Sequence, residues 1–248
     1  MSLWRLEWLR LVRTKRWIAL ASVYVFFGLL GPLSARYLGE IVERFGGGVE
    51  VTFPPPVPAD GMIQYVSNVS QIGLLVAVVV AAGSLAFDAK PEMGVFLRTR
   101  VPRLWDILVP RLVVSFLAVG ASFVLGALAA WYETVVLIGS LPVGGTLAGI
   151  GYGSLYLALV VAVVAAAGSR SKNVLGAVLV TIVVLLVMPI VGIVEAIGEW
   201  LPSHLVGALA GIPSGLGIYD YLPAAFVTVV LIGLSLWLAV RWSAAREL

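Results

Sequence analysis

Six long apolar runs separated by short polar gaps constrain this chain more than any other feature of its sequence. A run of about 17 to 25 apolar residues is long enough to cross the hydrocarbon core of a membrane as a helix. Fourteen of the sixteen Lys and Arg residues fall in alternate gaps, and basic residues in short loops stay on the cytoplasmic side. The other gaps hold only Arg36 and Arg44, together with eight of the thirteen acidic residues. The sequence therefore predicts a six-span membrane protein with both termini in the cytoplasm.

The basic gaps are the N-terminus, the segments after the second and fourth runs, and the C-terminus. Their residues are Arg5, Arg10, Arg13, Lys15, Arg16, Lys90, Arg98, Arg100, Arg103, Arg111, Arg170, Lys172, Arg241 and Arg246. Because these residues line one predicted membrane face, the pI near 9.3 indicates contact with membrane lipid and gives no reason to expect nucleic acid.

The composition excludes a soluble globule. The 248 residues are 61% hydrophobic, and the mean hydropathy is +1.07. We expect a single transmembrane domain over residues 1–248. The absence of cysteine excludes disulfides and thiolate chemistry. The basic start is too long and too rich in Trp for a signal peptide, so the first run is predicted to be an uncleaved span.

The predicted fold class is an all-α integral membrane protein with six transmembrane helices. We predict spans over residues 17–34, 63–87, 105–136, 146–167, 174–197 and 222–242, with the second beginning near Ile63 or Ile72. We expect Gly28, Gly31 and Pro32 to loosen the outer end of the first span. Residues 35–62 form a predicted external loop, because its Gly and Pro clusters favour turns and extended structure. Residues 198–221 are broken by several Pro and Gly residues and are predicted to be a re-entrant or interfacial segment.

Residues 1–16 are predicted to form an amphipathic helix before the first span. Trp4, Trp8, Leu11 and Val12 fall within an arc of about 100° at 3.6 residues per turn, and Glu7 lies at the edge of that arc. Such a helix can lie in the lipid headgroup layer. A basic juxtamembrane anchor is an equally good interpretation of the same residues.

The apolar runs lack the ionisable residues that drive coupled transport. Glu133 and Glu195 lie at predicted outer ends and Arg111 lies at an inner end. Ion-coupled carriers usually need such groups near the membrane midplane, so a self-powered secondary transporter is disfavoured, although sodium coordination by backbone carbonyls stays open. No lysine follows a glycine, so the chain has no phosphate-binding loop for ATP.

Catalysis within this chain is not expected. The single histidine, His204, lies in an outer segment without a candidate nucleophile at matching depth, and a structural role is the better interpretation. No His or Cys pair has metal-ligand spacing. Gly149 and Gly153 resemble a nucleotide fingerprint only by letter, and they indicate a close helix-packing face.

The cytoplasmic segment 88–104 is the most informative connector. Pro91 suits the first helical position and Glu92 complements the positive helix start. Residues 91–98 then form a short predicted helix that exposes Phe96 and Leu97 beside Arg98 and Arg100. Apolar side chains with a basic rim suit docking into a partner's groove. The alternative is a solvated loop that carries the positive-inside charge.

Here the chain resembles the ABC-2 type transporter permease family. In that family a Glu-x-Gly-Thr helix and a Pro-x-x-Arg segment join the second and third spans. This chain has Glu92-Met93-Gly94-Val95, with Val in place of Thr, and then Val101-Pro102-Arg103. The family's N-terminal elbow helix is similar to residues 6–13 (LEWLRLVR), and the six-span layout extends the resemblance over nearly the whole chain.

The resemblance implies the transmembrane subunit of a bacterial or archaeal ABC exporter in the cell membrane. It implies a homodimer, or a heterodimer with a second permease, that recruits two ABC ATP-binding subunits. ATP and Mg would sit on those subunits, and this chain would hold no cofactor. The implied ATPase-docking residues lie on the coupling helix and are Glu92, Gly94, Phe96, Leu97, Arg98 and Arg100. The residues assigned to the elbow helix are Trp4, Glu7, Trp8 and Leu11.

The uncharged span interiors favour an apolar or amphipathic substrate such as a lipid, a drug or a hydrophobic peptide. Two further classes of function remain open. One is a non-transporting membrane scaffold or assembly subunit that holds a cytoplasmic partner through the same segment. The other, less favoured, is a lipid-modifying enzyme, which would need polar residues clustered at one membrane interface.

Overall fold

The computed structural model describes residues 3–45, 54–85, 104–171 and 173–245. Within these ranges every regular element is helical, and six helices are long and apolar enough to cross a membrane. This confirms the prediction of an all-helical fold with six helices long and apolar enough to span a membrane. The residues predicted to form the coupling helix, Glu92 to Arg100, lie outside the described part of the chain.

A short N-terminal helix precedes the six long ones, and we number all seven in chain order. They are α1 (Leu3–Arg13), α2 (Arg16–Phe45), α3 (Pro58–Leu85), α4 (Leu104–Leu137), α5 (Val143–Arg170), α6 (Val174–Val191) and α7 (Leu222–Ala245). The end of the bundle at which α2, α4 and α6 begin is called the basic end below, and the other is called the opposite end.

Helix α2 is longer than the predicted first span. It continues through Gly28, Gly31 and Pro32 to Phe45, so the first part of the predicted external loop 35–62 is helical. The last residues of the predicted loop are helical too, since α3 begins at Pro58. Proline suits a first helical position. The glycines were expected to loosen the end of the span. They instead permit close packing: a Cβ on Gly31 would lie 2.8 Å from the backbone nitrogen of Tyr65.

Helix α6 ends earlier than the predicted fifth span, at Val191 and not at residue 197. Pro189 lies in its last turn, and Gly192 caps it. A separate short helix then covers Glu195–Gly198. Proline removes a backbone donor and clashes with the preceding turn, so a helix ends readily around it. The predicted span extends beyond the helix because the sequence stays apolar past Val191, the residue at which the helix ends.

The segment between α6 and α7 consists of short helical turns packed on the bundle. Its 3-10 helix Pro202–Gly207 and the helical turn Ala208–Gly211 both contact α5. Leu205 and Leu209 are buried there. Gly149 of α5 permits this contact, since a Cβ on it would lie 2.6 Å from the Cα of Leu209.

Helix α5 lies at the centre of the bundle. In its apolar window 72% of the residues are buried, compared with 22% for α6 and 17% for the window that contains α7. Its second half is rich in Val and Ala, whose small side chains let neighbouring helices approach from several sides. The hydrophobic core of the described residues therefore follows α5, with α3, α4, α6 and α7 packed around it.

Helices α2 and α4 cross through facing glycines. A Cβ on Gly28 would clash with the backbone oxygen of Gly126, and a Cβ on Gly126 would clash with the backbone oxygen of Tyr24. The Tyr24 and Tyr65 rings pack near Phe123 at centroid distances of 6.1 and 6.2 Å. These contacts join α2, α3 and α4 into one unit, and that unit positions the polar groups at the basic end.

A π-helical turn over Val69–Gly73 interrupts α3. The Tyr24 hydroxyl donates a hydrogen bond to the Gly73 carbonyl at 3.3 Å, so α2 satisfies a polar group at the irregular turn. The Tyr65 hydroxyl similarly donates to the Phe123 carbonyl on α4 at 3.1 Å. Non-helical backbone is tolerated at membrane depth where neighbouring protein groups satisfy it.

Candidate functional site

A buried ion pair joins the N-terminal helix to the bundle at the basic end. Arg111 Nε of α4 donates to Glu7 Oε1 of α1 at 2.7 Å. The two side chains are only 4% and 6% exposed. Glu7 Oε2 also lies 3.7 Å from a terminal nitrogen of Arg10, one helical turn further along α1. One carboxylate therefore faces two guanidinium groups.

The sequence of α1 explains why Glu7 points inward. At 100° per residue, Glu7 and Leu11 lie on neighbouring positions of one helix face, and Leu11 packs against the core. Trp4 and Trp8 lie on the adjoining face and are 49% and 51% exposed. The predicted apolar face of α1 therefore has two parts. Leu11 packs on the bundle, and Trp4 and Trp8 are not covered by the described residues.

A sharp turn connects α1 to α2. Thr14 Oγ1 donates to the Arg10 carbonyl at 2.7 Å, and Lys15 adopts a left-handed backbone conformation with φ of 54°. A residue in this conformation commonly ends a helix. The turn places Arg16, the first residue of α2, beside the last turns of α3.

Arg16 lies over a glycine of α3. A Cβ on Gly83 would lie 2.9 Å from a terminal nitrogen of Arg16. The guanidinium group therefore occupies space that a side chain at position 83 would fill. The adjacent Ser84 shares a hydrogen bond with Ser115 of α4, with 2.7 Å between the hydroxyl oxygens. Ser115 is buried.

These groups line one narrow cleft between α1, α2, α3 and α4. Its empty volume is about 400 Å³ including the mouth. The polar lining residues are Glu7, Arg10, Thr14, Arg16, Ser84, Arg111 and Ser115, and the remaining wall is aliphatic. Among the described residues that line the cleft, three are arginines and one is a glutamate, a net charge of +2. We call this group of residues the basic cleft.

The opposite end of the bundle holds the single histidine. The His204 ring stacks on Tyr221 with 4.7 Å between ring centroids, and the Tyr152 ring lies 5.6 Å from Tyr221. The Tyr152 hydroxyl donates to the Ile218 carbonyl at 2.9 Å. His204 also lines a wide, open depression with Glu199 and Ser203. The stacking indicates that His204 contributes to packing of the segment before α7.

Metal binding finds no support in the described residues, because they contain no group of three His, Cys, Asp or Glu side chains that could hold an ion. The polar chemistry that they do bring together is ionic and hydrogen-bonding, and it is concentrated in the basic cleft. Such a cleft can hold an anion or transmit force between helices, since both uses rely on fixed charges.

Two residues that line the basic cleft, Glu7 and Leu11, belong to the predicted elbow helix. Trp4, Glu7, Trp8 and Leu11 were singled out as elbow residues, and the structure places all four on α1. The sequence analysis did not predict the ion pair between Glu7 and Arg111. It also did not predict that Arg16, Ser84 and Ser115 line the same cleft. One signal was available: Glu7 is the only acidic residue before Glu40 in a strongly basic stretch. An isolated acid in that position indicates a specific cationic partner.

Comparison with known proteins adds no relative: no family model, no curated protein and no solved structure matches this chain.

Proposed function

We propose that this chain is the transmembrane permease subunit of an ABC transporter of the ABC-2 type. It would export an apolar or amphipathic substrate with energy from separate ATP-binding subunits. The observation that best supports this function is the buried pair between Glu7 and Arg111. It ties α1 to the first turns of α4, the helix that directly follows the proposed docking segment 88–104.

This connection offers a route for mechanical coupling. In the proposed cycle, ATP-driven closure of the partner subunits pushes on the docking segment, through Glu92, Gly94, Phe96, Leu97, Arg98 and Arg100. The first turns of α4 move with the docking segment, and α1 moves with them because the Glu7–Arg111 pair joins the two helices. Because α2 and α4 are in backbone contact at Gly28 and Gly126, they move as one body. The bundle then changes between inward- and outward-open states.

The membrane arrangement is part of the proposal. The basic end lies in the cytoplasm of a prokaryotic cell, and both termini lie on that side. Helix α1 acts as an elbow in the inner headgroup layer, with Trp4 and Trp8 directed to lipid, since amphipathic Trp side chains favour that depth. Their exposed surfaces support this placement.

The test is purification of a tagged chain from native membranes in mild detergent, followed by mass spectrometry and an ATPase assay. We expect a co-purifying ATP-binding subunit with ATPase activity. Leu97→Ala and Glu92→Ala are expected to lower substrate-stimulated ATPase activity and export while membrane insertion is unchanged. Tyr219→Ala is the matched control, because Tyr219 is 80% exposed at the opposite end.

Two outcomes would contradict the transporter. A preparation with a stable partner but no ATP-binding subunit would favour the alternative of a membrane scaffold or assembly subunit. Unaltered export in both docking variants would remove residues 88–104 as the docking site. The dimer belongs to the same test, since cross-linking of the purified complex distinguishes two copies of this chain from one copy with a second permease.

A further inference from the structure

The charges in the basic cleft are unbalanced at one side. The carboxylate of Glu7 is engaged by Arg111 at 2.7 Å and lies 3.7 Å from Arg10. Arg16, on the other wall, has no carboxylate within ion-pair distance among the described residues. Arg10 lines the same cleft as Arg16 and carries a charge of the same sign. Two like charges facing one cleft favour a bound anion, because an anion between them replaces repulsion with attraction.

Hydrogen-bond donors face the same space. Ser84 and Ser115 share one hydrogen bond with each other, so one of the two hydroxyl hydrogens is used between them. Ser84 donates its own hydrogen to the Ala81 carbonyl at 2.9 Å, so Ser115 is the donor of the bond that the two hydroxyls share. Hydroxyl groups rotate to suit a new acceptor. Arginine guanidinium groups with nearby hydroxyls form the type of donor set that recognises phosphate oxygens.

The shape of the cleft limits what enters it. Its interior space is about 20 Å³, which admits a group of the size of one water molecule, whereas the mouth is wider. An acyl chain therefore does not fit inside. A tetrahedral anion is larger than this interior, so its centre would lie at the mouth with one oxygen directed toward the serines.

The level of the cleft along the bundle indicates where the anion comes from. Arg16 begins α2, Ser84 is next to the last residue of α3, and the cleft lies beside α1, whose Trp4 and Trp8 are exposed. The ends of spanning helices lie at the depth of lipid headgroups. Basic pockets between transmembrane helices on the cytoplasmic side bind anionic headgroups.

We propose that the basic cleft binds the phosphate group of an anionic phospholipid from the adjacent leaflet. Arg10 and Arg16 hold the phosphate at the mouth, and the hydroxyls of Ser84 and Ser115 donate hydrogen bonds to the oxygen that points into the interior. The acyl chains lie outside, along the apolar surfaces of α1 and α2. This site requires only that the bundle be in a membrane, and it does not depend on the transport function.

The experiment is native mass spectrometry of the purified chain in detergent with equal amounts of phosphatidylglycerol and phosphatidylcholine. We expect selective retention of phosphatidylglycerol. Arg16→Gln is expected to weaken it about fivefold, because a basic residue near the surface contributes about 1 kcal/mol to binding of anionic lipid. Arg13→Gln is the matched control, since Arg13 is exposed on α1 and does not line the cleft.

Ser84→Ala changes no charge and keeps the test valid if Arg16→Gln disturbs folding. It is expected to reduce phosphatidylglycerol retention at least about twofold, through loss of a hydrogen bond to a charged group. Equal weakening by Arg13→Gln and Arg16→Gln, with no effect of Ser84→Ala, would overturn the site in favour of diffuse surface attraction. Displacement of the lipid by inorganic phosphate at equal ionic strength would overturn the lipid as the source of the phosphate.

Discussion

Glu7 and Arg111 are two charged side chains at 6% and 4% exposure, and each loses most of its hydration in this position. The attraction between buried charges often does no more than offset that loss, so the pair is weak evidence for added stability. Its effect is on geometry. The short, directional bond at 2.7 Å allows one orientation of α1 on α4 and disfavours rotations that would bury an unpaired carboxylate.

The first prediction concerns removal of the carboxylate. Glu7→Gln removes the carboxylate that Arg111 contacts at 2.7 Å and is expected to lower the free energy of unfolding by about 3 kcal/mol. Glu40→Gln is the matched control: its pair with Arg36 is long, at 3.8 Å, and the side chains are 67% and 41% exposed. We expect a change of less than about 1 kcal/mol there. Denaturant titration in mixed micelles measures both.

A double variant tests whether the effect lies in the pair. Glu7→Gln combined with Arg111→Gln removes both charges of the pair, and we expect it to recover much of the stability that Glu7→Gln loses, since the guanidinium that faced the lost carboxylate is then gone as well. Simple addition of two independent losses would contradict the assignment. The sequence pointed to Glu7 but not to Arg111, because the residues are far apart in the chain and hydropathy carries no information on pairing.

At the scale of elements, the crossing of α2 and α4 is the tightest contact of two long helices in the described residues. Gly28 and Gly126 permit it because neither carries a Cβ, and the backbones then touch. Helix packing in membranes depends on such close approach, since lipid supplies little hydrophobic force between helices. Gly28 was expected from the sequence to loosen a helix end. Glycine weakens an isolated helix, and only the partner helix shows that this one serves packing.

The second prediction uses two glycines of the same helix. Gly126→Ala places a methyl group against the Tyr24 backbone and is expected to destabilise the bundle by about 2 kcal/mol. At Gly120 a Cβ would meet nothing within 4 Å. Gly120→Ala is therefore expected to be neutral or to stabilise by up to about 1 kcal/mol through helix propensity. Equal melting temperatures of the two variants in detergent would contradict the crossing.

Element boundaries show what a sequence can and cannot predict. The six spanning helices follow from hydropathy because burial in lipid requires long apolar helices. Their ends do not. Pro32 lies inside α2, which continues to Phe45, whereas α6 ends two residues after Pro189. The same residue type permits a helix in one place and ends it in another, since neighbouring segments decide whether the freed backbone groups are satisfied.

At the scale of the whole molecule, the basic residues at one end of the bundle predict its orientation. The absence of native cysteine makes a direct test possible, because any introduced thiol is unique. Tyr219→Cys, at an 80% exposed position, is expected to react with a membrane-impermeant maleimide on intact cells. Arg13→Cys is expected to react only after permeabilisation. Reaction of both, or the reverse pattern, would contradict cytoplasmic termini.

The basic cleft belongs to this scale too, because four helices contribute to it. The sequence predicts that Arg10, Arg16 and Arg111 lie on one membrane face, since they occupy gaps of the same sign. It does not predict that they share one space with Ser84 and Ser115. The turn at Lys15 and the missing side chain at Gly83 bring these residues together. Neither feature changes the hydropathy pattern, so the sequence pattern does not predict the cleft.

The central position of α5 has a consequence for how this protein tolerates change. A helix enclosed by others has no direction in which a larger side chain can expand, whereas a helix at the rim has one permissive side. In a saturation mutagenesis screen we expect substitutions along α5 to be rejected at nearly every position of its second half. Acceptance along α6 is expected to rise and fall with a period of 3.6 residues. We therefore expect sequence variation to accumulate mainly in the helices at the rim of the bundle and least in α5.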